Sequence, residues 1–106
     1  MVVKVLTKVY TKEGMTKAEA VNYQLTKHAP LVKRLFGDKI KKYMVSIVVS
    51  TEGEEPGYQG IAELWFENMA DVEKMMSSPA FKQVMADSSK FARKGTWLML
   101  EEHMIV

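Results

Sequence analysis

His28 is the residue of this chain best placed to move a proton near neutral pH. An imidazole titrates closer to neutrality than any other unperturbed side chain, and the 106-residue sequence holds two, His28 and His103. His28 lies three positions after Leu25 and four before Val32, on the side of a helix that the periodicity makes apolar. A histidine there is either a hydrogen-bonded core residue or an acid–base group between helix and sheet. Tyr43 opens a β-branched run, which puts its hydroxyl at one end of a sheet. It is either an amphipathic edge residue or a donor to a ligand oxygen. Glu63 interrupts the apolar pair Ile61 and Trp65. Carboxylates are seldom buried without a partner, so Glu63 either bonds inside a cavity or reaches solvent at the edge of an assembly. Desolvation would raise its pKa and suit it to proton transfer.

Other chemistries find less support. Glu101, Glu102 and His103 are consecutive, and a site of two histidines and a carboxylate can be drawn with His28. Its spacing matches no recognised metal motif. With no cysteine in the chain, thiolate metal sites and disulfides are excluded. There is no phosphate-cradling glycine loop, nucleophile elbow or dinucleotide fingerprint. Met69, Met75, Met76 and Met85 read as core filling, with an adaptable pocket wall as the functional alternative.

The elements that must position these residues follow from periodicity. Residues 2–10 alternate with period two and are rich in valine, which predicts a strand. Thr16 and Glu19 form a capping box. Ala18, Val21, Leu25, His28, Ala29, Val32, Leu35 and Phe36 then recur at helical spacing. Pro30 removes one backbone bond and predicts a kink near His28, and Gly37 can take the left-handed conformation that ends a helix. Tyr43 to Ser50 is a second strand, Thr51 to Gly60 a loop, and Ile61 to Glu67 a third strand. Asn68 can cap the next helix, and Pro79 divides it from another carrying Phe81, Val84, Met85 and Phe91. Gly95 then ends the helical region and Trp97 to Val106 forms the last strand. The order βαββαβ predicts a single ferredoxin-like α+β domain over residues 1–106, with helices on one face of an antiparallel sheet.

Both faces of that sheet carry apolar residues. Tyr43, Val45, Ile47 and Val49 oppose Met44 and Val48; Ile61 and Trp65 oppose Ala62, Leu64 and Phe66. Trp97, Met99 and Ile105 oppose Leu98, Leu100 and Met104. Helices cover one face, and a two-fold-related copy is the simplest cover for the other, which predicts a homodimer. A chain that is 47% hydrophobic with mean hydropathy −0.14 fits a folded globular protein. A net charge of +2 from 15 basic and 13 acidic residues offers no general field for nucleic acid. The group Lys33, Arg34, Lys39, Lys41 and Lys42 reads as a solvated face around a helix end. Lys4 and Lys8 interrupt the apolar N-terminus, so neither a signal peptide nor a membrane span is predicted, and the expected location is cytoplasmic.

The segment His28-Ala29-Pro30-Leu31, with Tyr43 opening a strand, resembles the EthD family of dimeric α+β-barrel proteins. So do Gly60-Ile61-Ala62-Glu63-Leu64-Trp65-Phe66, Ser78-Pro79, Asp87 with Phe91, and Glu101-Glu102. Leu35-Phe36-Gly37-Asp38 departs from it, where relatives often have a leucine-proline-glycine turn. The resemblance implies sheets packed face to face in a homodimer, and a pocket between sheet and helices in each subunit. Relatives are similar to methylmuconolactone isomerases and to dehydratases and cyclases of aromatic polyketides, and look to need no metal or organic cofactor. By position, His28 and Tyr43 match the family histidine and strand tyrosine, while Glu63, Trp65, Asp87 and Phe91 match pocket positions. The leading expectation is a cofactor-independent isomerase, dehydratase or oxidoreductase acting on a small apolar or aromatic, oxygen-bearing substrate. In it His28 moves a proton, Tyr43 steadies developing charge on a substrate oxygen, and Glu63 or Asp87 orients the histidine or carries a second proton. The alternatives are a non-catalytic dimeric ligand-binding module and haem binding or degradation.

Overall fold

The computed structural model describes residues 1–50 and 57–106. In chain order the elements are β1 (Val3–Thr11), α1 (Lys17–Tyr23), a π-helical turn (Gln24–His28) and α2 (Ala29–Phe36). There follow β2 (Lys42–Ile47), β3 (Tyr58–Phe66), α3 (Met69–Met76), α4 (Pro79–Ser88) and β4 (Ala92–Leu100). The strands form one antiparallel sheet in the order β2-β3-β1-β4. This is the expected ferredoxin-like α+β arrangement. As far as Pro56, the loop expected over Thr51–Gly60 lies outside the described residues; by Tyr58 the chain is already in β3.

Local chemistry sets most of the boundaries. Thr16 and Glu19 make both bonds of the capping box at the start of α1. The Asn68 side chain accepts from the Asp71 amide at the start of α3, and Ser78 accepts from the Phe81 amide before α4. Pro79 takes the first position of α4, where its missing N–H costs nothing.

The kink expected near His28 takes the form of the π-helical turn, placed where Pro30 has removed a helical donor. The turn changes which residues face inward. The buried positions are Ala20, Gln24, His28, Val32 and Phe36, a repeat of four. In a regular α-helix a four-residue step drifts by about 40°; the wider π turn offsets part of that drift and holds all five against the sheet. Leu25, expected inside, is 47% exposed because this five-residue set displaces it.

Three other expectations are corrected. Gly37 has φ −55°, a right-handed value, so α2 ends without a left-handed residue. Gly95 does not end a helix: α4 stops at Ser88, and Gly95 lies inside β4 opposite Val9. The last strand ends at Leu100 rather than Val106, its final pair being Leu100 with Lys4, one residue from the start of β1; residues 101–106 continue exposed and outside the sheet. Likewise β2 stops at Ile47, and Val49 is 96% exposed.

Register assigns the faces. Val5 lies opposite both Leu64 and Met99, Thr7 opposite Ala62 and Trp97, and Tyr43 opposite Leu64. That face meets the helices in two buried clusters. The larger joins Val5, Leu64 and Phe66 to Val32, Phe36, Val72, Met75 and Val84; the smaller joins Val9, Ala20 and Phe91. Burying each of the larger of these side chains contributes roughly 1.5–3 kcal/mol. Two glycines are fixed by close approach. A Cβ on Gly60 would come within 2.1 Å of the Ser46 carbonyl oxygen, and one on Gly95 within 2.8 Å of Thr7 Oγ1.

The opposite face carries Lys4, Leu6, Lys8, Met44, Ile61, Glu63, Trp65, Leu98 and Leu100 by the same register. It is apolar in part, as expected, with Met44 42% and Leu98 47% exposed. Its charges are organised. Lys4 pairs with Glu63 at 2.8 Å and with Glu102 at 2.9 Å, and the Lys4 and Lys42 ammonium groups sit over the Trp65 ring. No helix among the described residues is long and apolar enough to cross a membrane.

Candidate active site

Between the two core clusters the helices stand off the sheet and leave a cavity of about 200 Å³. Thr7, Ala62 and Leu64 form its floor, Gln24, His28 and Val32 its roof, and Tyr43, Phe81 and Trp97 its walls. Met85, Ser89, Arg93 and Gly95 line it and are exposed. All four lie on α4, β4 or the turn joining them, so the cavity opens along that edge. Gly95 keeps the edge open, since a side chain there would press on Thr7.

His28 is the buried centre of this site. Its Nδ1 lies 2.9 Å from Asp87 Oδ2, and the Tyr23 hydroxyl donates to Asp87 Oδ1 at 2.7 Å. Lys90 Nζ stands 3.6 Å from the same oxygen. Burial pushes the Asp87 carboxyl up, but the hydrogen bonds from Tyr23 and His28 outweigh it and hold the group below its ordinary range. Asp87 is therefore an acceptor at both oxygens, and the proton of the Nδ1 contact belongs to the imidazole. That fixes the tautomer and leaves a lone pair on Nε2. Ser88 lines the cavity and Asp87 does not, so the Nε2 edge is the one turned toward it. Ser88 Oγ stands 3.5 Å from Nε2 and donates instead to the Val84 carbonyl at 3.0 Å. Burial lowers the His28 pKa, and the Asp87 carboxylate offsets this only in part. At neutral pH the ring is neutral and basic. Phe91 packs on it at 4.8 Å between ring centroids.

Tyr43 lines the same cavity, and its hydroxyl makes no hydrogen bond among the described residues. Burial pushes its pKa up to about 12, so it stays a protonated donor at any physiological pH. A neutral imidazole base and a phenolic donor thus share one apolar cavity, an arrangement suited to removing a proton while an oxygen gains charge.

Of the six residues singled out from the sequence, the structure brings four together: His28, Tyr43 and Phe91 at the cavity, and Asp87 behind His28. It does not bring Glu63 and Trp65 there. Both lie on the opposite face of the sheet, Glu63 paired to Lys4 and Trp65 bonded through its indole N–H to Glu102. The pleat alone dictates this, because Glu63 and Trp65 alternate with Ala62, Leu64 and Phe66. The conceivable metal site does not form either. His103 is exposed and bonded to Glu101 at 2.6 Å, and no three metal-ligating side chains converge among the described residues.

The structure adds Tyr23, Gln24 and Gln59, which the sequence reading passed over. Gln59 Nε2 donates to Gln24 Oε1 at 2.8 Å, and the Thr11 hydroxyl donates to Gln59 Oε1 at 2.9 Å. Gln24 stands four residues before His28, a spacing that could have flagged it. Gln59 is turned inward because the pairing of β1 with β3 slips between Val9 and Tyr10, and nothing in the sequence marks that slip.

Helices on one face of a four-stranded antiparallel sheet, enclosing a histidine-bearing cavity, define a ferredoxin-like α+β protein with a ligand-sized internal site. The chain belongs to the EthD family: the EthD domain model matches residues 12–95. A curated relative, an uncharacterized 11.0 kDa protein of the thcB-thcC intergenic region of Rhodococcus erythropolis, is 29% identical over 82 residues, spanning 76% of this chain and 78% of its own. Among solved structures, an ethyl tert-butyl ether D (EthD) family protein of Bacillus halodurans superposes with TM-score 0.79 at 21% identity, covering 97% of this chain and all of its own. A dimeric protein of unknown function with a ferredoxin-like fold, from Bacteroides fragilis, gives 0.71 at 14% identity over 95% and 96% of the two chains.

Proposed function

We propose that the protein is a homodimeric enzyme that works without a metal or organic cofactor on a small apolar or aromatic substrate bearing oxygen. His28 is its general base and Tyr43 the donor that meets the developing charge. The observation that carries this reading is the contact of Asp87 with Nδ1 of His28, which leaves Nε2 unprotonated toward an apolar cavity. In such a site a positioned base contributes about 10²–10⁴-fold to proton transfer. Isomerisation and dehydration both begin with that step. A cavity of about 150 Å³ lined by apolar groups holds a benzene ring, so about 200 Å³ accommodates a ring with small substituents. The homodimer reading is supported by the exposed apolar residues Met44 and Leu98 on the uncovered sheet face and by the relative described as dimeric.

A ring-sized base probe tests the proposal without knowledge of the substrate. On 5-nitrobenzisoxazole a base takes the proton from C3, the N–O bond breaks, and a coloured cyanophenolate is released. We expect faster release than in buffer with the wild type and none of that acceleration with His28→Ala at unchanged circular dichroism. Equal acceleration by both proteins would remove His28 from the role of base. Sedimentation equilibrium tests the assembly: a monomer at micromolar concentration would overturn the homodimer.

A further inference from the structure

The cavity holds one buried polar group that the proton-transfer reading leaves unused. Gln24 is 2% exposed and lines the cavity roof one turn before His28. One end of its amide is committed, since Oε1 accepts from Gln59 Nε2, itself set by the Thr11 hydroxyl. Gln59 is fully buried, so this bond holds Gln24 Oε1 inside the protein. The other end of the Gln24 amide, its Nε2, has no partner among the described residues. It is not sealed in protein either, because no fully enclosed side-chain nitrogen or oxygen among the described residues lacks a hydrogen-bond partner. For a residue this buried, the cavity is what remains for that nitrogen to face. An amide N–H pair left unpaired in an apolar cavity is costly, and a ligand oxygen would satisfy it.

We infer that Gln24 is a ligand-binding residue, whose side-chain N–H groups grip an uncharged oxygen acceptor of a ring-sized molecule. This rests on the proposed function and specifies its substrate class. The ligand is uncharged because no buried cation lines the cavity among the described residues to receive an anion. His28 is neutral, the Lys8 side chain belongs to the opposite face of the sheet with its ammonium over the Tyr58 ring, and Arg93 is exposed. Gln24 and Tyr43 also address different parts of the cavity. Tyr43 stands opposite Leu64 on β3, while Gln24 is tied to Gln59, further along the same strand.

Acetophenone and isopropylbenzene, alike in shape but differing in the carbonyl, make the test. The ¹⁵N-labelled protein is titrated with each while the Gln24 side-chain NH₂ resonance and the backbone amides of lining residues are followed. We expect acetophenone to move the Gln24 NH₂ signal and to bind about tenfold more tightly, the margin a single net hydrogen bond gives. Gln24→Met should erase that margin while isopropylbenzene binding persists. If Gln24→Met fails to fold, the wild-type NH₂ signal still decides. Acetophenone shifting the amides of His28 and Phe91 but not the Gln24 NH₂ would overturn the anchor and leave the cavity reading intact. No shift at any lining residue with either probe would overturn both.

Discussion

The two faces of the sheet put similar residues to opposite uses. On the helix side, Asp87 is tied to a neutral histidine and a tyrosine beside a cavity; on the other side, Glu63 is tied to Lys4 in an ion pair that Glu102 and Trp65 extend. Both carboxylates are mostly shielded, at 12% and 13% exposure. What separates them is the charge of the partner. Lys4 carries a full charge that satisfies Glu63, and with Glu102 on the same ammonium the result is a closed structural group. His28 is uncharged near neutrality, so Asp87 shapes its tautomer and leaves the far nitrogen free to react. A buried carboxylate marks chemistry when its partner can change protonation state, and marks structure when it cannot.

Substitutions on each side should divide accordingly. The largest effect is expected for His28→Ala, a loss of about 10²-fold or more in probe turnover, against no change for Glu63→Gln in the same assay. Asp87→Asn should come next, lowering turnover roughly tenfold or more by releasing the tautomer. It should also move the pH–rate profile in a defined direction. Turnover needs neutral His28 and rises along a limb below its ordinary value of 6.5, because burial lowers the pKa. Asp87 opposes that lowering, so its removal should carry the limb to still lower pH. A limb moving upward would contradict the assigned pairing.

Stability should show smaller differences of the same kind. Native His28 takes up its proton at lower pH than the unfolded chain, so unfolding gains protons and stability falls as pH drops below about 6.5. Asp87 adds to this trend at lower pH. Its native pKa lies below the ordinary 3.8, so its contribution is complete above that value and is lost as pH falls through the native one. Urea unfolding between pH 7 and 5 should register the histidine part, and His28→Ala should flatten it. Tyr23→Phe removes one bond to the Asp87 carboxylate and should cost about 1.5–3 kcal/mol. Glu63→Gln leaves Lys4 paired with Glu102 and should cost about 1 kcal/mol by chemical denaturation, the smallest change of the set. A larger loss there than for Tyr23→Phe would invert the comparison between the faces.

Much of this architecture is legible in the chain because it is written locally. The capping box of Thr16 and Glu19, the cap at Asn68 and the break at Pro79 each involve residues within three or four positions of one another. Pro30 announced a distortion near His28, though not that it would be a π turn or that it would bring Gln24 inward and push Leu25 out. Alternation placed Glu63 and Trp65 on the face opposite Ala62 and Leu64. Resemblance nonetheless drew them toward the pocket, because both faces hold apolar residues and periodicity does not say which one the helices cover.

The sequence by itself determined the order of strands and helices, the helix starts, and the apolar side of the first helix with His28 upon it. Each depends on hydrogen bonds and side-chain spacing within a turn or two. Only the tertiary structure decided that Asp87, 59 residues from His28, would fix its tautomer, that β4 would end at Leu100, and that Gln59 would reach Gln24. Those outcomes depend on strand register and on how far the helices stand off the sheet. Both are set by the packing of many side chains together, and no single residue type records them.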